Sequence, residues 1–332
     1  MATPESKSAV VMALVGNSFL VVIKGIAFAV SGSGAMLSEA IHSVADTANQ
    51  ALLLLGIKKS TKGPSRKYQY GYGADRYFYS LMSAVGIFVL GCGVTVYHGI
   101  HVLMHPGEIH VTWITWVVLA VAGAVDGFVM WKAIQSVSGE AKAAGGFLSY
   151  LSDATDPTVA AVIFEDGVAV LGVAAAAAGI GVSAATGSAI PDGIASIVIG
   201  LLLGAVAIYL GMKNRELLLG RSVPSPMEDE VIEFLESWPT VVNVKDVRSR
   251  VVGADRFRVK ADLEFDGEKL GSVHIDWVEI QVKEIKDTDD ARRFAAAFGS
   301  KVVEALGDEV DRIETEMQKR FPKIEWVDLE TD

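Results

Sequence analysis

A polar stripe runs through an apolar part of the chain. Ser38, His42 and Asp46 recur at intervals of four residues, and Asn49 follows slightly rotated from them. Side chains four residues apart lie on one face of an α-helix, so the stripe is expected to lie on a single face. Imidazole and carboxylate groups together form a ligand set for Zn²⁺, Mn²⁺, Fe²⁺ or Co²⁺. His42 and Asp46 are therefore candidate ligands for a divalent transition metal.

Two adjacent acids in a second apolar stretch complement this pair. Glu165 and Asp166 bring the set to one imidazole and three carboxylates. Neighbouring residues point about 100° apart on a helix, so the two acids are not expected to face the same way. One of them is expected to be a ligand, and the other to lie behind the ligands or to carry protons. The alternative is that these groups only satisfy one another's hydrogen bonds inside a helix bundle.

The composition places these residues in a membrane protein. Of the 332 residues, 51% are hydrophobic and 21% are charged, and the mean hydropathy is +0.38. These values are too apolar for an ordinary soluble domain. A charge near the centre of a bilayer costs roughly 2.5–3.5 kcal/mol, so each acid above needs a polar task. The single cysteine, Cys92, excludes a disulfide framework and a cysteine-based zinc site.

Six segments are long and apolar enough to cross a bilayer, which takes about 20 helical residues. They cover residues 9–30, 35–57, 78–102, 113–135, 157–181 and 192–212. The loop between the second and third segments holds six Lys or Arg residues, whereas the loops at 31–34, 103–112 and 182–191 hold none. Because cytoplasmic loops collect basic residues, both termini are expected to face the cytoplasm.

Further ionisable residues in the apolar segments are weaker candidates. Asp126 can pair with a neighbouring helix, and Asp192 lies where an acid stabilises a helix N-terminus. His98, His101 and His105 recur at i, i+3 and i+7 near the end of the third segment. They form either an outward-facing metal site or a group of histidines at the membrane interface.

The last third of the chain has the composition of a soluble, acidic domain. Residues 222–332 hold 27 acidic and 16 basic side chains, whereas residues 1–221 hold 13 of each. An acidic balance without a basic stripe argues against nucleic acid as a partner. Five elements are predicted in the order αββαβ. They are a helix at 227–238, strands at 241–252 and 256–265, a long helical stretch at 277–320 and a strand at 324–329.

These patterns predict a two-part architecture. Residues 1–215 are expected to form a membrane all-α bundle of six helices. Residues 222–332 are expected to form a cytoplasmic α/β domain of the αββαβ, ferredoxin-like or metallochaperone-like type.

Several long motifs resemble those of the cation diffusion facilitator family, and more narrowly its zinc transporter 9-like branch. The family signals are residues 37–46 in the second span and 70–73 in the basic loop. The branch signals are residues 156–159, 165–166, 218–222, 307–312 and 327–330. The resemblance runs nearly from end to end, so it is far more specific than any one short motif.

The resemblance implies a homodimer in which each protomer binds one metal between spans two and five and exchanges it for protons by alternating access. The family's site takes two ligands from each of these spans. His42 and Asp46 match the first pair, and Asp166 matches one member of the second. The other member falls on Val162, which cannot bind metal. Three ligands plus water, or Glu165 recruited as the fourth ligand, would complete the site.

The resemblance also indicates where the tail would bind zinc, and the residues there are unsuitable. Positions that are often histidine in the family fall here on Lys245, Gly307 and Asp328. A lysine ammonium repels a divalent cation, and glycine offers no donor. Residues 222–332 hold one histidine, His274, and no cysteine. The tail is therefore expected not to bind zinc in the family's usual cytoplasmic site.

The expected function is proton-coupled efflux of a divalent cation across a membrane. Zn²⁺ is the leading substrate, with Mn²⁺, Fe²⁺ or Co²⁺ also acceptable to the ligands, and protons are the counter-ion. No His-Glu-x-x-His or serine–base pattern points to an enzyme. The expected location is multi-pass in a bacterial inner membrane. The alternative is a scaffold that transports nothing and binds a protein partner through its acidic domain.

Overall fold

The computed structural model describes residues 4–31, 34–106, 113–143 and 145–332. The chain divides into two compact units. The first comprises Met1–Leu219 with Gly253–Asp255, and the second comprises Gly220–Val252 with Arg256–Asp332.

The described part of the first unit is helical. Its elements are α1 (Pro4–Ser31), α2 (Gly34–Ser60), α3 (Asp75–Gly86), a π-helical segment (Ile87–Val94), α4 (Thr95–Met104), α5 (Trp113–Ala143), α6 (Phe147–Asp153), α7 (Pro157–Thr186) and α8 (Ile190–Leu219). The predicted third span is thus one continuous helical stretch that changes its hydrogen-bond pattern midway. The short helix α6 was not predicted.

Five helical stretches among the described residues are long and apolar enough to cross a membrane. They are Lys7–Ile26, Asp75–Met104, Trp113–Lys142, Pro157–Thr186 and Ile190–Leu219. Helix α2, the predicted second span, forms over 27 residues. It is not among these five stretches, and it carries the polar stripe and ends in two lysines. The chain is a multi-pass membrane protein.

Polar and apolar side chains are distributed as in a membrane bundle. Asn17, Asn49 and Gln50 are buried between helices, whereas Phe19 and Leu201 are exposed. Many other large apolar side chains on the outside of the helices are also exposed. Soluble proteins rarely expose apolar surface on this scale, but lipid chains cover it without penalty. Polar side chains therefore lie between the helices, where the sequence predicts the functional groups.

Glycines bring α4 and α8 into close contact. A Cβ atom added to Gly200 would lie 2.6 Å from Val96 Cγ2 and 3.0 Å from the Val96 backbone nitrogen. Also on α8, a Cβ on Gly204 would lie 2.9 Å from Sγ of Cys92, which belongs to the π-helical segment before α4. Small residues allow such approach in lipid, where packing rather than the hydrophobic effect holds helices together.

The second unit is a three-stranded sheet with helices. Its elements are α9 (Ser225–Glu236), β1 (Val241–Gly253), β2 (Arg256–Phe265), α10 (Gly267–Ser272), α11 (Ile275–Val282), α12 (Thr288–Arg320) and β3 (Ile324–Thr331). The strand order is β1-β2-β3, and β2 pairs in parallel with β3. Alternate residues of β2, from Phe257 to Leu263, are buried, and Ile313 and Met317 of α12 are buried in the same unit. The predicted fold class is confirmed.

One predicted element of this unit is wrong in detail. The long helical stretch at 277–320 is broken into α11 and α12, because Asp287 begins a new helix. Its side chain accepts a hydrogen bond from the Asp290 backbone N–H at 2.8 Å, which satisfies a donor left free at a helix N-terminus. Helix α10 was not predicted either. Asp266 begins it in the same way, accepting from the Lys269 backbone N–H at 3.1 Å.

Candidate metal site

Helix α2 places His42 and Asp46 side by side, one turn apart. His42 Nε2 lies 3.7 Å from Asp46 Oδ2, and the two side chains are 28% and 19% exposed. This distance is too long for a direct hydrogen bond between the two side chains. The pair predicted from the four-residue spacing thus forms, and the side chain of Ser38, on the same stripe, lies outside the described residues.

Helix α7 places the two acids. It begins at Pro157 behind Asp156, whose carboxylate accepts a hydrogen bond from the Thr158 backbone N–H at 3.1 Å. A proline in the first turn and an acid at the N-cap are the residue types that favour a helix start. Glu165 and Asp166 follow two turns later and are 4% and 3% exposed.

The two pairs line one pocket between four helices. Its lining comes from α1, α2, α7 and α8: Asn17, His42, Asp46, Glu165, Asp166, Val168, Ala169, Ile199 and Leu203. Glu165 and Asp166 both line this pocket, although they are neighbours on α7. Their backbone positions differ by about 100°, but both directions fall within the wide sector that α7 turns toward its neighbours.

Glu165 is held by amide groups that the sequence analysis did not single out as partners. Gln50 Nε2 donates to Glu165 Oε2 at 2.7 Å, and Asn49 Nδ2 lies 3.4 Å from Oε1. Gln50 follows Asp46 by four residues, so it continues the polar stripe of α2. That spacing was the signal in the sequence. The predicted stripe ends at Asn49 and therefore omits Gln50.

Asp166 differs from Glu165 in its hydrogen bonding. Its Oδ2 atom is buried and has no hydrogen-bond partner among the described residues. Asp46 and Asp126 both lie near enough for their charges to interact with that of Asp166. Several carboxylates thus share an apolar interior. Such a set is stable only when protons or a bound cation compensate its charge.

The candidate ligand side chains do not converge on one point. No three His, Cys, Asp or Glu side chains within the described ranges converge as a ready metal site. Val162, one turn before Asp166, is fully buried and apolar, in keeping with the absence of a fourth family ligand. An ion bound here would have to draw the α2 and α7 side chains together.

The weaker candidates do not line the pocket. Asp126 of α5 is 7% exposed and belongs to the same electrostatic neighbourhood as Asp166. Asp192 lies in the first turn of α8, and its backbone N–H donates to Ser183 Oγ at 3.2 Å. His98, His101 and His105 lie at the end of α4, away from the pocket lining.

Lys245 and Asp328, two of the three positions that are often histidine in the family, form ion pairs. Lys245 Nζ lies 2.6 Å from Asp332 Oδ2, and Arg258 Nε lies 2.7 Å from Asp328 Oδ2. Gly307 lies within α12. Both ion pairs form within the second unit.

Comparison with known proteins identifies the family. The family model for the cation efflux transmembrane domain matches residues 10–219. The proton-coupled zinc antiporter SLC30A9, mitochondrial, of Xenopus laevis is 37% identical over 97% of this chain, and that of Homo sapiens is 36% identical over the same share. Metal tolerance protein C4 of Arabidopsis thaliana is 37% identical over 98% of this chain and 73% of its own length. The chain spans 58% of the length of the frog and human relatives.

The resemblance drawn from the motifs is therefore confirmed. The matched model covers more than half of the chain, and the relatives align over nearly all of it. The chain belongs to the cation efflux, or cation diffusion facilitator, family.

Proposed function

We propose that this protein exports Zn²⁺ across a membrane in exchange for protons. The observation that carries the proposal is the pocket in which His42 and Asp46 of α2 face Glu165 and Asp166 of α7. The names of the animal relatives, which are proton-coupled zinc antiporters, support the choice of metal and counter-ion.

The same side chains account for coupling between metal and protons. Metal binding requires a neutral imidazole and ionised carboxylates, so a metal entering the pocket displaces protons. Protons entering from the other side remove ligands and release the metal. Since an empty pocket with several ionised carboxylates is costly in an apolar bundle, the site favours being either metal-loaded or protonated. This alternation is the basis of exchange.

The proposed ligands are His42, Asp46 and Asp166, with water completing the coordination. Asp166 is assigned as a ligand because its Oδ2 atom is buried without a hydrogen-bond partner in the described part of the chain. Glu165 is already held by Gln50 and is assigned to the surroundings of the metal rather than to its coordination sphere. Glu165→Gln tests this assignment, since it should keep metal binding and change its pH dependence, whereas loss of binding would make Glu165 a ligand.

The orientation follows from the loops. The basic loop between α2 and α3 is proposed to lie in the cytoplasm with both termini, in a bacterial inner membrane. The relatives above carry the word mitochondrial in their names, which concerns those proteins. Labelling of cysteines introduced at Lys62 and at Gly187 from either side checks the orientation, because the two positions should react from opposite sides.

Two chains are proposed to form a homodimer, as the family resemblance implies. In the second unit the edges of β1 and β3 are unpaired with further strands of the described sheet, and edges of this kind are often covered by association. Mass measurement in detergent, at concentrations where flux is retained, should give twice the mass of one chain. A monomer under those conditions would contradict the proposal.

Flux into proteoliposomes tests the function. When a proton gradient is imposed, purified protein should accumulate Zn²⁺ on the side from which protons flow out. Collapse of that gradient should stop the accumulation. His42→Ala and Asp46→Ala each remove a donor from a desolvated site, and Asp166→Asn removes the negative charge of a third ligand. In each variant flux should fall at least about tenfold to a hundredfold.

Thr47→Val is the matched control for these variants. Thr47 adjoins Asp46, but its hydroxyl donates to the Ser43 carbonyl oxygen of its own helix at 2.8 Å and does not line the pocket. Its flux should stay near that of the unmodified protein. Near-normal transport by Asp46→Ala would refute the ligand assignment, and absence of flux with Zn²⁺, Mn²⁺, Fe²⁺ and Co²⁺ alike would favour the scaffold alternative.

A further inference from the structure

Two histidines at the end of α4 lie outside the pocket and have no role in the proposed exchange. His101 lies in the last turn of α4, and the backbone N–H of His105 donates to the His101 carbonyl oxygen at 2.9 Å. His105 is the C-cap residue of α4, with φ −134° and ψ 70°, so it follows the last helical residue. Its imidazole nevertheless lies beside that of His101.

The distance between the rings matches that of a shared metal ligand pair. The ring centres of His101 and His105 are 5.0 Å apart, with 31° between the ring planes. A Zn–N bond of about 2.1 Å places each ring centre roughly 3.2 Å from the metal, so a tetrahedral pair has ring centres about 5.2 Å apart. The helix thus already sets the separation that chelation requires.

The surroundings leave the pair open to ions. Both histidines are exposed, and His101 also lies near the Tyr97 ring at 6.3 Å between ring centres. A separation of 5.0 Å is also usual for stacked rings, so the proposal rests on the pairing of two exposed imidazoles at a distance that a shared metal ion allows. Exposure leaves the remaining coordination positions to water.

The pair lies across the membrane from the basic loop. The stretch Asp75–Met104 follows that loop directly and has 30 residues. A helix of this length spans about 45 Å, which exceeds the roughly 30 Å of a hydrocarbon core. His101 and His105 are therefore at the surface opposite to Lys58 and Lys59.

We propose that His101 and His105 form a second divalent-metal site, on the membrane face opposite to the basic loop. Two imidazoles select borderline cations such as Zn²⁺ and Cu²⁺ over Mg²⁺ and Ca²⁺, which prefer oxygen ligands. With two protein donors in the described part of the chain, the site exchanges its ion readily with solution. The inference concerns binding alone and does not depend on the proposed transport.

Histidine footprinting on the full-length protein in detergent tests this site. Diethylpyrocarbonate modifies free imidazoles, and mass spectrometry reports each histidine separately. Added Zn²⁺ should protect His101 and His105 together, whereas Mg²⁺ should protect neither. In His101→Ala, the Zn²⁺ concentration that half-protects His105 should rise about tenfold or more, which corresponds to at least about 1.4 kcal/mol.

Two controls separate this site from other zinc effects. His274→Ala removes a histidine of the second unit and should leave the protection of His105 unchanged. Asp46→Ala should also leave it unchanged, so failure of the transport proposal would not alter this result. Equal protection of His105 with and without His101, or no protection by Zn²⁺, would overturn the proposal.

Discussion

At the scale of single residues, a buried ion pair fixes the start of the helix that carries both acids. Arg76 of α3 is 1% exposed, and its guanidinium lies 3.1 Å from the carboxylate of Asp156. The same carboxylate caps α7 through the Thr158 backbone N–H. One acid thus links two helices, and through α7 it sets the position of Glu165 and Asp166.

Removing the cation of this pair should be costly. Arg76→Met leaves the Asp156 charge without its partner, and breaking a buried pair in this way costs about 3–5 kcal/mol. Asp156→Asn keeps a good N-cap residue but removes the negative charge 3.1 Å from the buried Arg76 guanidinium, so it should also destabilise the protein. Thermal unfolding in detergent measures both effects as a lowered Tm.

An exposed pair supplies the comparison for this prediction. Arg292 and Asp289 form an ion pair whose side chains are 78% and 75% exposed. Exposed pairs contribute about 0–1 kcal/mol, so Arg292→Met should change Tm little. If Arg76→Met and Arg292→Met gave the same small shift, the Arg76 pair would have no special structural role.

The residues of the pocket show how far sequence reasoning reaches at this scale. The four-residue spacing was enough to predict the neighbourhood of His42 and Asp46. The hydrogen bond from Gln50 to Glu165 needed the packing of α2 against α7, which no local pattern contains. Side chains on different helices are 115 positions apart in this case, so their contact is a property of the tertiary fold.

At the scale of elements, the contact between α4 and α8 depends on glycine. Backbone atoms of Val96 and Cys92 lie 3.0 and 3.3 Å from the place where a Gly200 Cβ would be. Backbone atoms cannot rotate away as a flexible side chain does. A larger residue at this position would therefore have to separate the two helices.

Gly200→Ala should destabilise the bundle by about 1–3 kcal/mol, the usual cost of overpacking. Gly211→Ala is the matched control on the same helix, because its nearest neighbour, Leu81 Cδ1, is 4.0 Å away. Alanine is the better helix former, so Gly211→Ala should be neutral or stabilising. Thermal unfolding of both variants in one detergent decides the matter, and an equal response of the two would contradict a tight α4–α8 contact.

The boundaries of elements were predicted unevenly, for physical reasons. Strand β2 was predicted to its exact residues, because its alternation of apolar and charged side chains matches one buried and one solvated face. The break before α12 was missed, because apolar periodicity persists on both sides of it and only the Asp287 cap marks it. The π-helical segment was also missed, since apolar composition is the same in both helix types.

At the scale of the whole molecule, candidate metal donors are distributed unequally between the two units. Of the six histidines, only His274 lies after residue 221, and the only cysteine precedes it. The Nε2 atom of His274 lies 3.1 Å from the carbonyl oxygen of Lys301, within hydrogen-bond distance. The ion pairs of Lys245 and Asp328 occupy two of the positions at which the family often has histidine. Zinc should therefore act on the first unit and leave the second unit unaffected.

Hydrogen exchange of the full-length protein with and without Zn²⁺ tests this asymmetry. A ligand stabilises the structure that binds it, by about 2.7 kcal/mol when its free concentration is 100 times Kd. Protection should rise in α2 and α7 and stay unchanged in β1, β2, β3 and α12. Asp46→Ala should abolish the increase in α2 and α7, and Mg²⁺ at the same concentration should produce none. A zinc-dependent increase in the sheet, retained in Asp46→Ala, would show that the second unit binds zinc itself.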